Sequence, residues 1–398
     1  MVRSLNHRAG HYLLLTLTWA ALSLVNLGGP SLWDIDEGLN AEAARVMHVS
    51  GNWVVPHFNG ELRSAKPALL YWLQASAYQC FGVNEMSARL PSAFAALLTI
   101  LLAYELARMM FSASVGLLCG LILGTSLLFC GSAHFANPDA LLHLCTVLTL
   151  YLYWRDFESG SQRWLMWTGI SSGLGMLAKG PVGLVLPSAV ITLHLWWSGQ
   201  FRRWFHPMLF AGIGLFILVA VPWYAWVGAE TKGQFLSEFF LKQNFGRFNA
   251  PMENHRGPFF YYLIVLCVGF TPWSIFFLPS GWHAWRQRNQ SENLEKKTID
   301  PRYRFLFCWM GVYLVFFTLA ARKLPDYVLP MYVPLAIVIA HFLDRWRKGE
   351  AQPPAWMVKS SLGSLAFVGV IVTLGMLIGG GSLWPSLTKG RHLPGLEK

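Results

Sequence analysis

Residues Pro207 to Gly228 read PMLFAGIGLFILVAVPWYAWVG, an apolar run without a charged side chain. As a helix rising 1.5 Å per residue it would extend roughly 33 Å, enough to cross the hydrocarbon core of a bilayer. Apolar runs recur on both sides of it, at about 11–27, 88–110, 113–132, 138–154, 164–179, 181–198, 258–280, 304–321, 327–343 and 356–380, which makes eleven. Several contain Pro or Gly, which membrane bundles tolerate because neighbouring helices satisfy the freed backbone groups. Of the 398 residues 54% are hydrophobic and 13% charged, with 27 Phe, 19 Trp and 13 Tyr. That balance excludes a disordered chain and argues against an ordinary soluble enzyme. The expected fold is all-α: a polytopic membrane protein of about eleven transmembrane helices, with short interfacial amphipathic helices in its first extracytoplasmic loop.

The first apolar run follows Arg3 and Arg8 and lacks a small-x-small cleavage site, so it reads as an uncleaved helix. Placing the N-terminus in the cytoplasm puts 17 of the 31 Lys and Arg inside with 8 of the 20 acidic residues, a net +9 against +2 outside. A single transmembrane domain is expected over 1–380, with extracytoplasmic loops at 29–87 and 229–257, a polar cytoplasmic loop near 281–303, a short extracytoplasmic tail at 381–398 and no soluble domain. The net charge of +11 is spread over short loops rather than clustered, which suits anionic lipid headgroups and not nucleic acid. Cys80, Cys119, Cys130, Cys145, Cys267 and Cys308 show no CxxC pairing, so neither a disulfide framework nor a zinc cluster is expected.

The loop from Pro30 to Ser87 is too long for a tight connector and too patterned for a disordered one. Leu39, Ala43, Val46 and Met47 repeat at helical spacing before Ser50-Gly51, where Gly supplies a left-handed cap. A second short helix is expected from Pro67 to Phe81, stopped by Gly82. Asp36 therefore opens one interfacial helix and Lys66 the next. Taken singly, Asp36 reads as a helix N-cap and Lys66 as a snorkelling interfacial cation. Loop parity nevertheless places Asp36, Lys66, Asp139, Lys179, the 230–256 segment and Arg322-Lys323 on one outer face. Ionisable groups at that depth point to function.

The order of several motifs resembles the bacterial aminoarabinose transferase and protein O-mannosyltransferase group, membrane glycosyltransferases of the GT-C type. These motifs are Asp36-Glu37-Gly38, Ser50-Gly51-Asn52-Trp53, Lys66-Pro67, Ala88-Arg89-Leu90-Pro91-Ser92, Asn137-Pro138-Asp139, Lys179-Gly180-Pro181, Pro222-Trp223-Tyr224, Gly246-Arg247-Phe248, His255-Arg256-Gly257 and Lys323-Leu324-Pro325-Asp326-Tyr327. The resemblance covers most of residues 30–345. It implies a multi-pass protein of the bacterial inner membrane, with its active site outside the cytoplasm. It implies transfer of a sugar from a polyprenyl-phosphate donor to a lipid, glycan or protein acceptor, as in modification of lipid A or another cell-envelope glycan. Asp36 is then the base that takes the acceptor's proton in an inverting attack, with Asp139 as a second catalytic candidate. Lys66 and Tyr327 bind the donor phosphate.

Phosphate recognition needs cations, and Arg adds a planar bidentate fork. Arg63, Arg247, Arg256 and Lys323 join Lys66 as substrate-binding candidates, with Arg322 beside them. Glu37 and His255 are expected to orient or hydrogen-bond the substrate. The sequence departs from the aminoarabinose transferase pattern Tyr-Phe-Glu-Lys-Pro, which here reads Arg63-Ser64-Ala65-Lys66-Pro67, and Asn40 stands where that pattern has Tyr. The missing Glu belongs to a metal-binding pair with the position of His255, so no metal cofactor is expected. The main alternative is a transporter or flippase of lipid-linked sugars, which would call for an internal repeat and ionisable groups at mid-span. Neither feature is visible.

Overall fold

The computed structural model of the chain describes residues 2–32, 35–161, 163–246, 257–287 and 299–379. Asp34, Arg247, His255, Arg256 and residues 288–298 of the polar loop lie outside them. Every one of the eleven apolar segments is helical. Helix α1 (Val2–Trp19) runs into a π-helical turn, Ala20–Leu24. The first loop carries α2 (Ile35–Ser50), a hairpin of β1 (His57–Phe58) and β2 (Glu61–Leu62), and α3 (Leu69–Phe81). There follow α4 (Glu85–Met110), α5 (Ala113–Gly124), α6 (Leu127–Ala133), α7 (Asp139–Ser159), α8 (Trp164–Lys179), α9 (Val182–Trp197) and α10 (Pro207–Glu230). A short α11 (Gln234–Ser237) leads into a π-helical stretch, Glu238–Gly246; α12 (Tyr261–Gly269), α13 (Phe277–Gln287), α14 (Pro301–Leu319), α15 (Tyr332–Arg347) and α16 (Ala355–Gly379) complete the order.

These are not eleven uniform rods. By length and composition four helices among the described residues are able to cross a membrane, or six if each bent pair counts as one span. The bends lie between α5 and α6 (68°) and between α12 and the segment containing α13 (111°). A break of this kind needs protein around it to satisfy the backbone. It has that here: the backbone N–H of Leu127, at the first break, donates to the carbonyl of Thr271, at the second.

Helices α4, α5, α7, α9, α14 and α15 share the main core, built on side chains such as Tyr104, Phe305, Trp309, Tyr313 and Ile337. Small residues let other helices approach more closely. A Cβ on Gly169 of α8 would lie 1.9 Å from the carbonyl oxygen of Gly212 on α10. One on Gly183 of α9 would lie 2.3 Å from the backbone of Gly175 on α8. The second contact closes the α8–α9 hairpin and holds its tip, Lys179-Gly180-Pro181, in place.

In the first loop, α2 starts and stops where the periodicity predicts, and Gly51 takes φ +71° with its N–H on Met47. Its buried stripe is rotated from the expected one. Glu37, Asn40, Ala43, Ala44 and Met47 are buried, while Leu39 and Val46 are half-buried. The rotation follows from a polar anchor inside that stripe. The guanidinium of Arg89, at the start of α4, grips both oxygens of Glu37 at 2.7 and 3.0 Å and donates to the carbonyls of Leu27, Pro30 and Ser31. Helix α3 begins at Leu69, two residues after the expected Pro67, and ends at Phe81 before Gly82. The hairpin is an exception to the all-α expectation. Asn59 and Gly60, at φ +51° and +82°, form its two-residue loop, with His57 paired to Leu62.

Candidate functional site

Where α7, α8, α14 and the turn before α15 converge with the first loop, a cavity of about 400 Å³ opens. Its polar lining comes from Lys66, Asp139, Lys179, Arg322, Asp326 and Tyr327. Three cations against two carboxylates leave it with one net positive charge. The rest is apolar, from Val182, Val185 and Leu186 of α9 and Tyr313, Phe316 and Phe317 of α14. Phe239, Gln243 and Asn244 of the π-helical stretch cover one side.

Each polar group is placed by a local device. Asp139 sits in the first turn of α7, where the helix dipole favours a carboxylate, and its N–H donates to Asn137 Oδ1 at 3.0 Å. Lys179 is the last residue of α8, and its ammonium donates to Asp139 Oδ1. The same ammonium lies 4.5 Å from the centre of the Tyr327 ring, a cation–π contact. Tyr327 in turn packs on Phe317 at 5.0 Å between ring centres. The π-helical stretch is tied down by Ser64, whose hydroxyl donates to Glu238 at 2.5 Å. Hydrogen bonds from Ser64 and Gln234 hold the Glu238 carboxyl below the usual range.

Of the residues expected in the site, Lys66, Asp139 and Tyr327 meet in this cavity. Arg247, His255 and Arg256 lie outside the described residues. Four others are placed elsewhere. Glu37, expected to bind substrate, is 1% exposed and ion-paired with Arg89, so it serves as an internal anchor. Lys323, expected among the phosphate cations, turns back along α14, and its ammonium donates to the carbonyls of Phe317, Thr318 and Ala320. That satisfies the open end of the helix. Its neighbour Arg322 lines the cavity instead. Arg63 donates from Nε to the Tyr71 hydroxyl and from Nη2 to Asn40 Oδ1, both at 3.0 Å, so two of the departures from the family pattern touch each other. Asp36, half-exposed in the first turn of α2, is not in the cavity lining. It belongs to the adjoining polar cluster: burial pushes the Tyr71 hydroxyl above the usual phenol range, Arg63 opposes the shift and the Asp36 carboxylate adds to it.

Reasoning from sequence placed Lys179 on the right face but gave it no role, and it missed Arg322's advantage over Lys323, as well as Asp326, Gln243 and Asn244. Ala65 lies in the cavity wall, and among the described residues no three His, Cys, Asp or Glu gather to hold a metal ion.

A helical membrane bundle with an amphipathic, cation-bearing cavity under its first loop has the architecture of the GT-C membrane glycosyltransferases. The chain is similar to members of that class, in the group of aminoarabinose-transferase-like and protein-O-mannosyltransferase-like proteins. The dolichyl-phosphate-mannose-protein mannosyltransferase family matches residues 65–226. A relative in Erwinia tasmaniensis, the undecaprenyl phosphate-alpha-4-amino-4-deoxy-L-arabinose arabinosyl transferase, is 34% identical over 83% of this chain and 58% of its own. The crystal structure of ArnT from Cupriavidus metallidurans bound to undecaprenyl phosphate superposes with a TM-score of 0.79 at 26% identity, over 93% of this chain and 65% of that one. The archaeal oligosaccharyltransferase AglB from Archaeoglobus fulgidus shares the fold, with a TM-score of 0.52 at 14% identity, over 96% of this chain and 56% of that one. The chain thus spans about three fifths of the length of the curated relative it matches.

Proposed function

We propose that this protein transfers a sugar from a polyprenyl-phosphate donor, of the undecaprenyl-phosphate kind that its relatives are named for, to a lipid, glycan or protein acceptor of the cell envelope. The observation that carries the reading is the two-part lining of the cavity. Lys66, Lys179 and Arg322 supply its cations, and α9 and α14 supply apolar side chains to the same lining. A phosphate on a long hydrocarbon has that division of character. The cations meet charge that grows on the phosphate as it leaves, where preorganised donors contribute most. Asp36, in the first turn of α2, is the base that takes the acceptor's proton, and Asp139 is held by Lys179. No step passes through a metal. The protein sits in the bacterial inner membrane with its N-terminus in the cytoplasm and the cavity on the extracytoplasmic side. The transporter reading has no support in the relatives named above.

The test is transfer from an undecaprenyl-phosphate sugar to cell-envelope lipids by the protein in proteoliposomes, with a metal chelator present. Asp36→Asn keeps the size and polarity of the side chain but removes the base, a loss of typically 10²–10⁴-fold in rate. Lys66→Ala removes a charge-assisted contact worth roughly 1.5–3 kcal/mol, so donor affinity should fall about 10- to 150-fold. Wild-type turnover with both variants impaired in these different ways is expected. A folded Asp36→Asn protein with normal turnover would move the base to Asp139.

A further inference from the structure

Two side chains of α2 hold the backbone of a single residue, Ala136, from both sides. Glu37 Oε1 accepts the N–H of Ala136 at 2.9 Å, and Asn40 Nδ2 donates to the carbonyl of Ala136 at 3.2 Å. Positions 37 and 40 share one face of a helix, so the clamp is a property of α2 itself. Each jaw is backed by an arginine: Arg89 on Glu37, and Arg63 on Asn40. The clamped unit leads directly into Asn137-Pro138-Asp139. There Ser92 donates to the Asn137 carbonyl at 3.3 Å, and Asn137 Oδ1 receives the Asp139 N–H. Asp139 then holds Lys179, which lies against Tyr327. A series of bonds therefore joins the helix that carries Asp36 to Lys179 in the cavity lining. Asn40 is fully buried, so its bond to Ala136 has no competition from water.

We infer that Asn40, backed by Arg63, is a positioning residue: it fixes the first turn of α2, and with it Asp36, against the Asp139–Lys179 pair. The inference rests on the functional reading of that cavity. It gives Asn40 and Arg63 a shared task that neither performs by touching the donor phosphate. Reacting groups displaced by about 1 Å lose on the order of 100-fold in rate.

Asn40→Asp keeps the acceptor that Arg63 uses and loses the donor to Ala136. Arg63→Gln keeps the size of the contact and loses the fork. Both variants, and the double variant, are compared with wild type in proteoliposomes for turnover, for affinity towards undecaprenyl phosphate, and for amide exchange over residues 134–138. A positioning unit gives a turnover on the order of 10- to 100-fold lower in each single variant. Undecaprenyl-phosphate affinity and thermal stability stay near wild type, and exchange over 134–138 is faster. The double variant is no slower than the worse single one, because both remove the same restraint. Turnover unchanged in Asn40→Asp overturns the inference, as do single effects that multiply in the double variant. A loss of turnover explained by reduced thermal stability does the same. Wild-type protein that binds undecaprenyl phosphate but transfers nothing overturns the functional reading first, and this inference with it.

Discussion

Asp36 and Glu37 are neighbouring carboxylates in one helical turn, yet one is half-exposed and the other sits in the fork of Arg89. Removing one partner from a buried ion pair strands the other and costs roughly 3–5 kcal/mol. Glu37→Gln should therefore lower thermal stability markedly, while the folded fraction keeps its affinity for undecaprenyl phosphate. Thermal unfolding in detergent and binding at low temperature separate the two effects, and lost affinity in a stable variant would return Glu37 to the site. Arg322 and Lys323 repeat the pattern. Sequence marks both as cations on the right face, but which one lines the cavity depends on where the last carbonyls of α14 point, and those capture Lys323. Composition and parity make the face legible at this scale. Orientation within a pair of neighbours is not legible, because it is decided by tertiary partners far away in the chain: Arg89 lies 52 residues from Glu37. Arg89 lies in the Ala88-Arg89-Leu90-Pro91-Ser92 motif, which carries no local sign of that partner.

The eleven apolar segments are each helical because a run of such residues has nowhere to leave backbone polar groups except in a helix. Their breaks are less legible. The hairpin at Asn59-Gly60 was readable from that dipeptide, a strong two-residue turn signal, but strands of two residues show no alternation to support it. Helix packing was invisible, since it hinges on what glycines lack. At Gly183 an added Cβ meets the Gly175 backbone, which has no flexible end to move aside. Gly183→Ala should destabilise the protein by about 1–3 kcal/mol, as overpacking does. It should also weaken undecaprenyl-phosphate binding by spreading the hairpin that ends in Lys179. Gly311→Ala on α14 is the control. Nothing lies within 4 Å of its added Cβ, and Ala favours a helix by about 1 kcal/mol over Gly. Equal melting temperatures for the two variants would contradict the packing account.

For the whole molecule, the charge split of +9 against +2 predicts that the 281–303 loop and the C-terminal tail lie on opposite sides of the membrane. Three apolar helices, α14, α15 and α16, separate them. Reporter fusions at Asn293 and Lys398 are expected to be active on the cytoplasmic and extracytoplasmic side respectively. Activity on one side at both positions would remove the odd number of crossings. The same parity gathers Lys66, Asp139, Lys179 and Tyr327 from four distant parts of the chain, which is why much of the cavity could be foreseen without its geometry.

The pairing of Lys179 with Asp139 means that the resting cavity carries its own counter-ion. On the proposed function, an arriving lipid phosphate would compete with a carboxylate already in place, and donor loading would become an exchange of anions. Such a site would resist capture by free inorganic phosphate, which brings no hydrocarbon to offset the exchange. It would also release its product more readily, because Asp139 would return to Lys179. Asp139→Asn should therefore hold undecaprenyl phosphate more tightly and release it more slowly, with inorganic phosphate becoming an inhibitor. Competition binding with the two phosphates would show this, and unchanged affinity for both would mean that Lys179 takes no part in holding the leaving group.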